Sequence, residues 1–125
     1  MYYKMKDVCK MTNLTYDTLK YYCNIGLIPN VKRDKNNYRI FTTENIKWIE
    51  TLNCLKKCNM NIVEIKEYID LCLEGNKTIN QRKDILKNKQ IELNNKIIEI
   101  QKSIDFINWK QNYYDELQKN NTNNN

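Results

Sequence analysis

Lys20 and Tyr21, then Lys32, Arg33, Lys35, Tyr38 and Arg39, crowd the run TLKYYCNIGLIPNVKRDKNNYRIF from Thr18 to Phe41. Ammonium and guanidinium groups neutralise phosphates, and tyrosine hydroxyls donate hydrogen bonds to phosphate oxygens. Thr18 is short enough to let a helix approach a groove closely. Covalent chemistry is poorly provided for. The chain has no His, no Gly-rich phosphate loop and no paired carboxylates, so any catalysis would rest on cysteine alone and no enzyme is expected.

The elements that must position these groups can be read from turn and cap residues. Met5, Val8 and Cys9 recur at helical spacing and mark a short first helix. Asn13-Leu14-Thr15 is a turn, with Thr15 as N-cap of a second helix through about Cys23. Gly26 stops that helix and Pro29 keeps the following chain extended. Val31–Arg33 and Tyr38–Phe41 flank Asp34-Lys35-Asn36-Asn37, whose Asn pair tolerates the positive φ of a hairpin turn. Helix, turn, helix, hairpin is the winged helix-turn-helix order. It suits two adjacent contacts on one DNA duplex, the helix in the major groove and the ribbon on the backbone.

The charge agrees. Net charge is +6 over 125 residues. Residues 1–39 hold eight Lys and Arg against three acids, while the rest of the chain holds thirteen against twelve. The excess sits where a phosphate footprint would need it.

With two Gly and one Pro, little interrupts helix formation, and a mainly α chain is expected. Thr42 caps a third helix, Thr43 to Lys57, with Trp48, Ile49, Leu52 and Leu55 on one face. Asn59-Met60-Asn61 breaks it, and a fourth helix carries Ile62, Ile65, Ile69 and Cys72. Beyond Gly75-Asn76, the residues Ile79, Leu86, Leu93, Ile100, Ile107 and Tyr114 recur every seventh position. Ile97 and Ile104 fill the complementary position and Gln90 and Gln111 occupy it with polar groups, as in a coiled-coil seam. An isolated long helix cannot bury such a stripe, so a homodimer is expected. The domains expected are 1–75 for DNA binding, 76–118 for the dimerisation helix and 119–125 for a disordered, Asn-rich tail. No apolar run approaches the ~18 residues of a membrane span, and the N-terminus lacks a signal-peptide core. A cytoplasmic protein with reduced thiols is expected from the odd set Cys9, Cys23, Cys54, Cys58 and Cys72.

TYDTLKYYCNIGLIP, the basic hairpin ending NYRIF, and TTENIKWIETLNCLKKCNMNIVEIKEYIDL together resemble the MerR family of bacterial transcription regulators, over about residues 2–74. The following helix resembles that family's dimerisation helix. The resemblance implies a winged helix-turn-helix domain, an antiparallel coiled-coil homodimer and no cofactor. It implies binding to an inverted repeat in double-stranded promoter DNA, which is bent and untwisted for RNA polymerase. It puts Thr15, Asp17, Thr18, Lys20 and Tyr21 on the recognition helix and Tyr38 and Arg39 on the wing, beside basic Arg33. Tyr22 pairs with Leu19 at i, i+3 and is read as core. Lys20 stands where Arg is usual, losing bidentate geometry but keeping charge. Asn37 stands where Gly is usual, and Cys23 where an acid is usual.

IETLNCLKKCNMN followed by GNKTINQRKDIL looks most like the short aldehyde- or electrophile-responsive branch. Helical spacing sets Cys54 and Cys58 together, opposite Leu52 and near Lys47, where a thiol can reach solutes. Cys54 is the candidate sensor, and a small packing residue is the competing reading. Cys9 and Cys72 fall on apolar faces as small core residues. A Cys54–Cys58 bridge is disfavoured, since i, i+4 Cβ atoms lie ~5–6 Å apart and a disulfide needs ~3.5–4.5 Å. Two further alternatives are a metal-responsive regulator using Cys54, Cys58 and Cys72, and an architectural or excisionase-like DNA-binding protein, which usually lacks a long dimerisation helix. No metal site is expected in the leading reading.

Overall fold

A computed structural model describes residues 1–123, with side chains through Asn121. β1 (Tyr3–Lys4) leads directly into α1 (Met5–Thr12). Asn13, at φ 58, turns the chain out of α1, since Asn tolerates the left-handed region. Thr15 then caps α2 (Tyr16–Asn24), its side-chain oxygen accepting from the Thr18 N–H. Gly26, at φ 75, closes α2, and the Leu27 N–H reaches back to the Tyr22 carbonyl. This is a Schellman ending, which needs a residue without a Cβ penalty.

β2 (Lys32–Arg33) and β3 (Arg39–Phe41) form the hairpin. The Asn37 N–H donates to Asp34 O, and Asn37 itself sits at φ 66, the role a Gly would fill. The Asp34 carboxylate accepts from the Asn36 and Tyr38 N–H groups and fixes the turn further. The sheet has three strands in the order β1-β3-β2, all antiparallel. The third strand was not expected. Its two residues carry no strand pattern, and β1 forms only because β3 returns beside it.

α3 (Thr43–Lys57) and α4 (Ile62–Leu73) each start with a capping box, Thr42 with Asn45 and Asn61 with Glu64. Asn59, at φ 67, turns between them, and Met60 is buried there. Val8, Leu19, Tyr22, Leu27, Phe41, Ile49, Leu52, Ile65 and Ile69 form one core drawn from α1, α2, β3, α3, α4 and the loop after α2. The expected inward faces of α2 and α3 are thus inward, with Trp48 half-buried at the edge.

Gly75, at φ 87, and a single 3-10 turn (Asn76–Thr78) lead into α5 (Ile79–Asn123). The Thr78 hydroxyl donates to the Leu71 and Gly75 carbonyls, and Arg82 donates to Gly75 O at 2.7 Å and to Thr78 Oγ1 at 3.1 Å. Ile85 packs against the core. These links carry the first compact unit to Ile85, beyond the division expected after residue 75, and the second begins at Leu86. α5 also runs past the expected limit at 118, because no Gly or Pro stops propagation of its hydrogen bonds. The end of the expected tail, 124–125, lies outside the described residues.

In the single chain the heptad residues of α5 are open. Ile79, Leu86, Ile97, Ile100, Ile104, Ile107 and Tyr114 are exposed, Ile97 to 63%, and Leu93 is half-buried. Trp109 and Tyr113 stack at 5.9 Å, with the Lys110 ammonium 5.2–5.7 Å from their rings and from the ring of the seam residue Tyr114. Among the described residues, no helix is long and apolar enough to cross a membrane.

Candidate nucleic-acid interface

α2 divides into two faces because Leu19 and Tyr22 point into the core. Tyr22 is held there by more than packing. Its hydroxyl accepts from Lys56 Nζ of α3 at 2.8 Å. Thr15, Tyr16, Asp17, Lys20 and Tyr21 are all exposed, with Thr18 half-exposed. Thr15 also donates to Thr18 Oγ1 at 2.8 Å, so the cap pre-orients the threonine beside it.

The hairpin supplies Arg33, Tyr38 and Arg39. Arg33 and Arg39 are directly paired across β2 and β3. Like charges directly opposite each other on one face destabilise a ribbon. Here each guanidinium is held by a neutral acceptor, Arg33 by the Asn37 carbonyl at 2.8 Å and Arg39 by the Asn24 carboxamide oxygen at 2.6 Å. The second bond ties wing to recognition helix. Tyr38 is 71% exposed.

A cleft of about 530 Å³ gathers part of this set. Arg33, Tyr38 and Arg39 line it with Asp34, Asn36, Asn37 and Ile40, and Lys4, Met5, Lys6 and Tyr16 complete the wall. Thr15, Asp17, Thr18, Lys20 and Tyr21 lie on α2 outside the cleft lining. Lys4, Lys6 and Tyr16 were not singled out from the sequence. The only signal for the two lysines was their share of the N-terminal charge, which carries no address without β1 pairing to β3.

Cys23 sits behind this surface. Burial pushes its thiol above the ordinary value, while Arg39 and Arg33 pull it down less strongly. Cys9 is also raised by burial. Cys54 and Cys58 are exposed and Cys72 is half-buried. Among the described residues, no three His, Cys, Asp or Glu side chains are gathered closely enough to hold a metal, so Cys54, Cys58 and Cys72 form no such site.

A recognition helix bonded to a basic β-ribbon, over a shared core, defines a winged helix-turn-helix protein. The profile described as MerR HTH family regulatory protein matches residues 3–72. The chain belongs to that family of transcription regulators. It is 40% identical over 87 residues to the HTH-type transcriptional regulator AdhR of Bacillus subtilis, covering 70% of this chain and 62% of AdhR. The chain therefore spans less than two thirds of that relative. The crystal structure of HiNmlR, a MerR family regulator lacking the sensor domain and bound to promoter DNA, matches with a TM-score of 0.71 at 30% identity. That match covers 84% of this chain and 80% of HiNmlR. A MerR family transcriptional regulator from Listeria monocytogenes matches with a TM-score of 0.78 at 29% identity, over 98% of this chain and 99% of that one.

Proposed function

We propose that this chain acts as a homodimer on an inverted-repeat site in double-stranded promoter DNA, remodelling the duplex for RNA polymerase. The observation that carries the reading is the Arg33–Arg39 pair. Two cations directly opposite on a ribbon, bonded only to neutral acceptors, are a surface that an anionic backbone would stabilise. Recognition by Thr15, Asp17, Thr18, Lys20 and Tyr21 and backbone contact by Arg33, Tyr38 and Arg39 follow from the exposed faces that carry them. The likeness to HiNmlR, seen on promoter DNA, supports the same assignment. The seam Ile79, Leu86, Leu93, Ile97, Ile100, Ile104, Ile107 and Tyr114 would be covered by the antiparallel α5 of a second chain, which brings two recognition helices to two half-sites. The reading places the protein in the cytoplasm and assigns it no enzymatic activity.

Footprinting over the gene's own upstream region, combined with a salt titration, tests this. Affinity should fall linearly on logarithmic axes as phosphate contacts release counterions. A flat salt response, or a monomer by sedimentation at micromolar concentration, would sink the dimeric reading; the monomer would favour an architectural or excisionase-like protein.

A finer reading concerns the switch. Cys54 is exposed and so open to electrophiles. An adduct formed by addition of the Cys54 thiolate to an aldehyde or enone would shift the dimer between two DNA geometries. Unchanged aldehyde-induced transcription in Cys54→Ala would remove this mechanism.

A further inference from the structure

The wing cleft is lined by four cations, Lys4, Lys6, Arg33 and Arg39, against one acid, Asp34. That carboxylate is already engaged. Its Oδ1 accepts from Asn36 N at 2.9 Å and Tyr38 N at 3.0 Å, so it serves the turn. Lys4 and Lys6 are exposed, and among the described residues neither has an ion-pair partner. The sheet order β1-β3-β2 puts Lys4 on the strand flanking β3 opposite to Arg33, with Lys6 just beyond in α1. Lys4 pairs with Ile40 and so lies on the other face of the sheet from Arg33 and Arg39, and it is the cleft, reaching round the sheet edge into α1, that gathers the four cations.

We propose that Lys4 and Lys6 form a third contact of the DNA interface, gripping phosphodiester groups on the β1 side of the wing. The proposal rests on the DNA-binding reading above and extends it to residues outside the recognition helix and the hairpin. One DNA strand carries a charge about every 3.4 Å along its axis, so four cations around one cleft can meet more than one phosphate of a strand. The contact is to backbone and carries no base information. Tyr16, at the start of α2, lines the same cleft and connects it to the recognition helix.

The test uses the full chain and a fluorescein-labelled duplex of arbitrary sequence, followed by anisotropy between roughly 50 and 200 mM salt. Each phosphate contact contributes about 0.9 to the slope of log affinity against log salt, so Lys4→Gln/Lys6→Gln should lower it by about 1.8. The charge-preserving Lys4→Arg/Lys6→Arg should restore the slope, which excludes a folding defect as the cause. Lys47→Gln/Lys77→Gln removes the same charge from exposed lysines that do not line the cleft, and should leave the slope unchanged. A steep wild-type slope with no change in Lys4→Gln/Lys6→Gln overturns this proposal alone. An equal loss in Lys47→Gln/Lys77→Gln overturns it too, since net charge would then explain the effect. A flat wild-type response removes the DNA-binding reading itself.

Discussion

Arg39 on the wing donates through Nη2 to the Asn24 carboxamide oxygen at the last turn of α2, at 2.6 Å. Helix and ribbon separated by the whole Ile25–Tyr38 segment are thereby set at one spacing. Because Asn24 is exposed, the bond contributes little to global stability. Its effect is to hold a long cation where the duplex backbone would lie.

Asn24→Ala should therefore weaken DNA affinity about three- to tenfold, roughly 0.7–1.4 kcal/mol, with under ~0.5 kcal/mol lost in denaturant unfolding. In a double-variant cycle with Arg39→Ala, the two losses should not add, because Asn24 acts through Arg39. Full additivity in anisotropy titrations would refute the link.

Asn45 is buried and joins three parts of the chain. Its oxygen accepts from Thr42 N at 2.8 Å, and its amide donates to Pro29 O at 2.7 Å. Asn45→Leu should cost about 2–3 kcal/mol, since a part-buried donor and a part-buried acceptor lose their partners together. Urea unfolding should show this as a lower midpoint with an unchanged slope. A loss below ~0.5 kcal/mol would mean that water replaces both bonds.

Ile97 and Ile104 occupy the complementary seam position of α5 and are exposed in the single chain. Ile97→Glu/Ile104→Glu should turn a micromolar dimer into a monomer, as measured by sedimentation equilibrium. Binding to a duplex of arbitrary sequence should fall much less than binding to a two-half-site operator. Lost dimerisation removes the second half-site but spares the backbone contacts of each protomer.

Cysteine reactivity should follow exposure. Alkylation at neutral pH, read by mass spectrometry, should label exposed Cys54 and Cys58 before Cys9 and Cys23. Burial holds Cys9 and Cys23 protonated above their ordinary 9.0, while the unfolded chain releases those protons earlier. Stability from these groups is therefore complete below pH ~9 and declines as pH rises through the folded values. Cys23→Ser should flatten the fall in urea midpoint above about pH 9. An unchanged pH dependence would assign the decline to other groups.

Local signals were strong wherever one residue type suffices for one geometry. Thr15 and Thr42 cap helices where the sequence places them, because a side-chain acceptor before a helical run has few other uses. Leu19 and Tyr22 were legible as core from their spacing. The cleft was not legible, because Lys4, Lys6 and Tyr16 share no periodicity with Arg33, Tyr38 and Arg39. Nor was the end of the first unit, since the Thr78 and Arg82 bonds to Gly75 O depend on a turn that no pattern announces.

The sequence alone determined the order of the helices and the hairpin, the inward faces and the heptad stripe, because helix caps, turn residues and hydrophobic periods act over one or two turns. Tertiary structure decided which charges share a surface. That depends on β3 pairing with both β1 and β2, and on Asn24 capturing Arg39. These contacts join residues far apart in the chain. Each short strand is worth little until the shared core brings its partner alongside, so local sequence cannot specify the cationic cleft by itself.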